Sequence, residues 1–155
     1  MQFKSLALLA LAALTLNVYA ADTPFPSPAE PSVRDRMSLA RKALEVHDYG
    51  KAVSELRTVV RTDPRNADAH NLLGYSYRKS PQPDLAKAFE HYNTALRLDP
   101  RHKGAHEYIG EAYLMDRKPA EAAKHLAELE KICGNRSCEE YADLAKSIAD
   151  YKSKN

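Results

Sequence analysis

The sequence predicts an all-α fold, a solenoid of three helix pairs closed by a C-terminal capping helix. Three observations predict it: the chain resembles itself at offsets of 36 and 34 residues, apolar positions within each copy fall at helical spacing, and one more amphipathic stripe follows the third copy. Composition agrees, since 155 residues with 44% apolar side chains allow one domain with a packed core. Twenty-three Lys+Arg against 21 Asp+Glu leave a net charge of +2, without the basic excess that drives sequence-independent nucleic-acid binding. The five glycines are too scattered to build a phosphate-cradling loop or a dinucleotide fingerprint.

Residues 1–20 read as a cleavable secretory signal. Lys4 and the free amine make a short positive end, residues 6–16 an uncharged Leu/Ala-rich run, and Val18-Tyr19-Ala20 a cleavage site after Ala20. The apolar run is short for an anchored span, so the mature chain is expected to be periplasmic with no membrane span. Residues 21–32 follow with Pro24, Pro26, Pro28 and Pro31, each lacking a donor and biasing its predecessor away from the helical region. This stretch reads as a stiff, solvated linker.

The repeats occupy residues 33–136. Asp63-Pro64-Arg65 recurs as Asp99-Pro100-Arg101, and His70, Leu73, Gly74 and Tyr77 recur as His106, Ile109, Gly110 and Tyr113, all 36 apart. A weaker first copy places Leu39, Ala40 and Ala43 34 residues before Leu73, Gly74 and Tyr77. Ala88, Tyr92 and Ala95 likewise follow Ala52, Leu56 and Val59 by 36 and precede Ala122, Leu126 and Leu129 by 34. The two-residue surplus falls at Ser80-Pro81-Gln82-Pro83-Asp84, in the turn between two helices. Each copy is therefore two helices, with Ala40, Gly74 and Gly110 expected to let the two approach closely, and with Pro64 and Pro100 ending a unit.

Residues 137–155 read as the cap. Ser137 and Glu140 have capping-box spacing, and Tyr141, Leu144, Ile148 and Tyr151 form one apolar stripe.

These residues resemble the tetratricopeptide repeat family, whose 34-position pattern runs through a large residue, Leu-Gly, Tyr, Ala, an aromatic, Ala and Pro. His70 and His106 stand where the family usually has Trp, Arg36 stands there in the first copy, and Gly134 replaces the closing Pro of the third. The resemblance implies seven helices wound into a right-handed superhelix, with the first helix of each pair lining a concave groove for peptide segments. Carried over by position, the groove comprises Met37, Arg41 and Leu44; Asn71, Tyr75 and Arg78; and Tyr108, Glu111 and Met115. Tyr75 and Tyr108 are the expected anchors, with Arg78 and Glu111 flanking them in opposite charge. A clamp for C-terminal carboxylates is not expected, because Glu107 and Glu111 bring negative charge where a cation would be needed.

Cys133 and Cys138 flank the turn between the last repeat helix and the cap, and in an exported chain they are expected to form a disulfide. The segment Cys133-Gly-Asn-Arg-Ser-Cys138-Glu-Glu-Tyr141 also resembles the C-terminus of small exported bacterial repeat proteins. The spacing is not the Cys-x-x-Cys of redox motifs. His102 and His106, four apart, suit two ligands on one helix face, but the repeat equivalence of His106 and His70 argues for packing. No nucleophile elbow or His-Glu-x-x-His motif occurs. The expectation is a non-enzymatic adaptor without a cofactor, binding another protein or peptide of the cell envelope. The alternative is an accessory of an envelope metal or redox pathway using its His and Cys residues.

Overall fold

In the computed structural model, which describes residues 29–154, seven helices follow one another and no strand occurs among those residues. The signal segment and most of the expected linker lie outside the described residues. The helices are α1 (Val33–Glu45), α2 (Tyr49–Thr62), α3 (Ala67–Lys79), α4 (Leu85–Leu98), α5 (Lys103–Met115), α6 (Pro119–Cys133) and α7 (Glu139–Lys154). None of them is long and apolar enough to cross a membrane.

Local chemistry fixes each start. Ser32 caps α1 in a full capping box with Asp35, and the side chains of Asp48, Asn66, Asp84 and His102 accept from the third backbone N–H of α2, α3, α4 and α5. Lys118 offers no such cap, and Pro119 begins α6 with its fixed φ and no orphan donor. The repeated Asp-Pro-Arg motif is one turn built twice: the Asp63 carboxylate accepts from Arg65 N–H and the Asp99 carboxylate from Arg101 N–H.

Helices pack as α1 on α2, α3 on α4 and α5 on α6, and α2, α4 and α6 each contact the next odd-numbered helix. The core runs along this seam from Leu56, Val59 and Leu73 through Tyr92 and Ile109 to Leu129, Leu144 and Ile148. Burying each of these larger side chains contributes about 1.5–3 kcal/mol. Tyr77 and Tyr113, at expected packing positions, are half-buried against this seam.

Two expectations change at the C-terminal end. A Cβ on Gly74 would stand 2.6 Å from the Tyr92 ring of its own pair, as expected, whereas one on Gly110 would meet Leu144 of α7 at 2.6 Å. The small third-repeat residue thus admits the cap most closely, and α7 packs on both α5 and α6 in the seat a fourth repeat's first helix would take. The Ser137–Glu140 capping box does not form: Ser137 N–H and hydroxyl both donate to Asn135 Oδ1 at 2.9 Å. Ala142 N–H instead returns to the Cys138 carbonyl, so α7 starts one residue later than a Ser137 cap would place it. Gly134 closes α6 at φ 70°, a left-handed conformation that a Pro cannot adopt. Cys133 and Cys138 are disulfide-bonded across this turn, with Cα atoms 6.2 Å apart.

Candidate functional site

The odd-numbered helices lie side by side, α3 touching α5 and α5 touching α7, and their common face carries the groove positions. At its centre the rings of Tyr75 and Tyr108 lean together, centroids 4.9 Å apart and planes tilted by 50°. Both are half-buried. They border an open hollow of about 350 Å³ whose other walls are Arg41, Leu44, Glu45 and Leu72. Arg41 is exposed and lies 3.5 Å from the Asp68 carboxylate, an ion pair of little energetic weight in water. A second hollow beside it is walled by Met37, Arg34, Lys42 and Asn66 among others.

Asn71 and Arg78, expected to face a ligand, are each only 5% exposed, Arg78 against the two tyrosine rings and Asn71 next to Gly104. Arg78 is fully engaged there: Nη2 contacts Glu111 Oε2 at 2.6 Å, Nε donates to Tyr92 Oη at 3.2 Å, and the guanidinium sits 5.5 and 5.7 Å from the Tyr75 and Tyr108 ring centroids. Burial works against its charge, but Tyr92 and Glu111 outweigh that and hold its pKa above the ordinary value. Glu111 also accepts from Ser147 Oγ of α7 at 3.1 Å. The expected pair of opposite flanking charges is therefore a single internal ion pair that braces α3, α5 and α7. Asn71 Oδ1 is buried and has no hydrogen-bond partner among the described residues. Met115 is 46% exposed, beyond the tyrosines at the end of α5.

Glu107 is the residue that sequence reasoning misplaced most. Expected to bring negative charge to the groove, it is instead buried, and burial together with Glu111, Asp143 and Glu140 pushes its carboxyl up to about 8. The carboxyl is therefore mostly protonated at neutral pH. Burial, with Glu107 next, likewise raises the Tyr108 phenol to about 12. Leu72 was missed as a wall of the hollow, although it lies 36 residues before Tyr108 and so shares its repeat position.

His102 and His106 do not converge. His102 Nδ1 caps α5 and its Nε2 meets Asp68 Oδ1 at 3.0 Å, while His106 turns to His125 of α6. The sulfurs of Cys133 and Cys138 lie close to a Glu140 carboxylate, but bonded to each other they present no thiolates.

The Tetratricopeptide repeat profile matches residues 37–93 and 82–136. The chain belongs to the tetratricopeptide repeat family. Solved structures of this fold share its shape at low identity. The TPR2B domain of yeast Sti1, in complex with pHsp70, superposes with a TM-score of 0.70 at 13% identity, covering 79% of this chain and 98% of that one. The Yersinia enterocolitica type III secretion translocator chaperone SycD gives 0.71 at 17% identity over 81% and 96%. The first TPR of Spaghetti bound to an HSP90 peptide gives 0.65 at 18% over 79% and 96%. No curated protein matches the sequence. The tetratricopeptide fold explains why the large-residue, Leu-Gly and Tyr positions recur, and why the odd-numbered helices share a face.

Proposed function

We propose that this tetratricopeptide protein is an exported, non-enzymatic adaptor that holds a peptide segment of another cell-envelope protein on its Tyr75/Tyr108 face. The carrying observation is that these two rings are half-exposed yet held in place from beneath by Arg78, Glu111 and Ser147. A rigid aromatic pair with little side-chain freedom left to lose is the kind of surface on which binding energy concentrates. Leu44 and Leu72 supply apolar wall beside it, and Arg41 a positive rim. An apolar or aromatic ligand side chain suits the hollow, with an acidic neighbour near Arg41. The structures of Sti1 with pHsp70 and of Spaghetti with an HSP90 peptide support use of the fold for peptide binding. Export is supported by the N-terminal charge and apolar pattern, and a disulfide between Cys133 and Cys138 suits an oxidising compartment.

The test is capture from periplasmic extract on the mature chain, followed by affinity measurement with the captured partner. Tyr75→Ala with Tyr108→Ala should weaken binding by about 2 kcal/mol or more, some 30-fold in Kd, with helix content unchanged. Equal affinity of the double variant and the wild type refutes the reading.

A further inference from the structure

One position on the first helix of each pair faces one position on the second, three times over. In repeat one the residues are Arg36 and Glu55, joined at 2.9 Å. In repeat two they are His70 and His91, with Nδ1 to Nδ1 at 3.1 Å, and in repeat three His106 and His125, with Nδ1 to Nδ1 at 3.0 Å. The equivalence follows from the sequence offsets, 34 and 36 on the first helix, 36 and 34 on the second.

The proton positions follow from the partners. His70 Nε2 lies 3.2 Å from the Pro64 carbonyl and His106 Nε2 lies 3.1 Å from the Pro100 carbonyl. A carbonyl only accepts, so each Nε2 carries the hydrogen and, in a neutral ring, each Nδ1 of His70 and His106 is the acceptor. His91 and His125 must then donate from Nδ1. Their rings are held by stacking, Tyr77 on His91 and Tyr113 on His125, both at 5.7 Å between centroids.

A first proton can enter at Nε2 of His91 or His125 without disturbing the bond, because that ring still donates from Nδ1. A second proton has nowhere to go except Nδ1 of His70 or His106, where two N–H groups would point at each other. We propose that the two imidazole pairs are proton-operated latches: each joins its two helices while neutral or holding one added proton, so acid loosens repeats two and three, whereas repeat one is joined by an ion pair without imidazole. The charged neighbours modulate this without replacing it: Glu90 and Arg97 act on the first pair, with Lys87 over the Tyr77 ring, and Glu121, Lys124 and Glu128 act on the second. Burial lowers His70 and His91 below the ordinary 6.5, and burial followed by His106 brings His125 to about 4. For groups lowered in this way the stabilisation is complete above 6.5 and fades as the pH falls towards the folded-state values. Since α3 and α5 also carry Tyr75 and Tyr108, opening the latches would move the proposed binding face, although the test below needs no ligand.

The experiment is chemical unfolding of the mature chain from pH 4.5 to 7, comparing wild type with His91→Gln, His125→Gln and the double variant. Gln can donate to the neutral partner, turn its carbonyl to a protonated one, and does not titrate. Wild type should lose folded-to-unfolded ratio more steeply than the double variant by up to 100-fold per pH unit in the lower half of the range, and more steeply than either single variant by up to tenfold. Protection of amides in α3–α6 should fall relative to α1–α2 at pH 5. Parallel slopes in all four proteins overturn the proposal. Should the variants not fold, imidazole C–H titration by NMR of the wild type decides: two protonation steps in each pair that both fall at the ordinary 6.5 in folded protein overturn it, and a second step in each pair held well below the first upholds it.

Discussion

Glu107 keeps its proton because it is buried and because Glu111, Asp143 and Glu140 lie near it where α7 closes over α5, with Arg78 acting against them. In the unfolded chain the same carboxyl has its ordinary value of 4.5, against about 8 in the fold. Between those values the folded state binds more proton, so this contribution is complete below 4.5 and declines as the pH rises to 8. Glu107→Gln removes the penalty, and should raise stability at pH 7 by on the order of 2–3 kcal/mol and leave stability at pH 4.5 nearly unchanged. Urea unfolding of both proteins at the two pH values checks this. The sequence could not show the burial of Glu107, Asn71 or Arg78, because helical periodicity assigns a residue to a face and is silent about a neighbour from outside the repeat. The His positions were legible as packing from their recurrence, but not the pairing between rings, which depends on the angle between two helices.

Turns between the paired helices show how the same register is reached by different chemistry. His47 and Arg117 hold φ 58°, at matching places in repeats one and three. Behind them Asp48 N–H reaches the Ala43 carbonyl and Lys118 N–H the Tyr113 carbonyl, both at 2.8 Å. Repeat two makes the same connection through its inserted Ser-Pro-Gln-Pro segment, where Asp84 N–H reaches the Tyr77 carbonyl at 3.1 Å. A side chain in the left-handed region is strained, so Arg117→Gly should stabilise the protein by about 0.5–1 kcal/mol, read as a rise in Tm. His47→Gly should gain less, since the His47 ring also bonds the Tyr49 hydroxyl. The insertion was visible in the sequence through its prolines; the two strained turns were not, since neither carries the Gly that would have marked them. At the last connection, reduction of Cys133–Cys138 should cost about 2 kcal/mol by loop-closure entropy. Its effect should concentrate in α7, and hydrogen exchange with and without reductant would show amide protection lost there before α1–α6.

The seven described helices form a short stack in which each touches the helices next to it in sequence and α5 also touches α3 and α7, so local events stay local. That is why the architecture was readable: three copies in register specify the helices, their order and the seam, while repeat logic predicts a groove from positions alone. Of the nine positions expected to line the groove, Asn71 and Arg78 are buried, while Arg41, Leu44, Tyr75 and Tyr108 border one hollow. One consequence follows from Leu144 sitting in the notch over Gly110. With α7 in place that notch is closed, so a helix from a second copy could lie over Gly110 only by displacing Leu144.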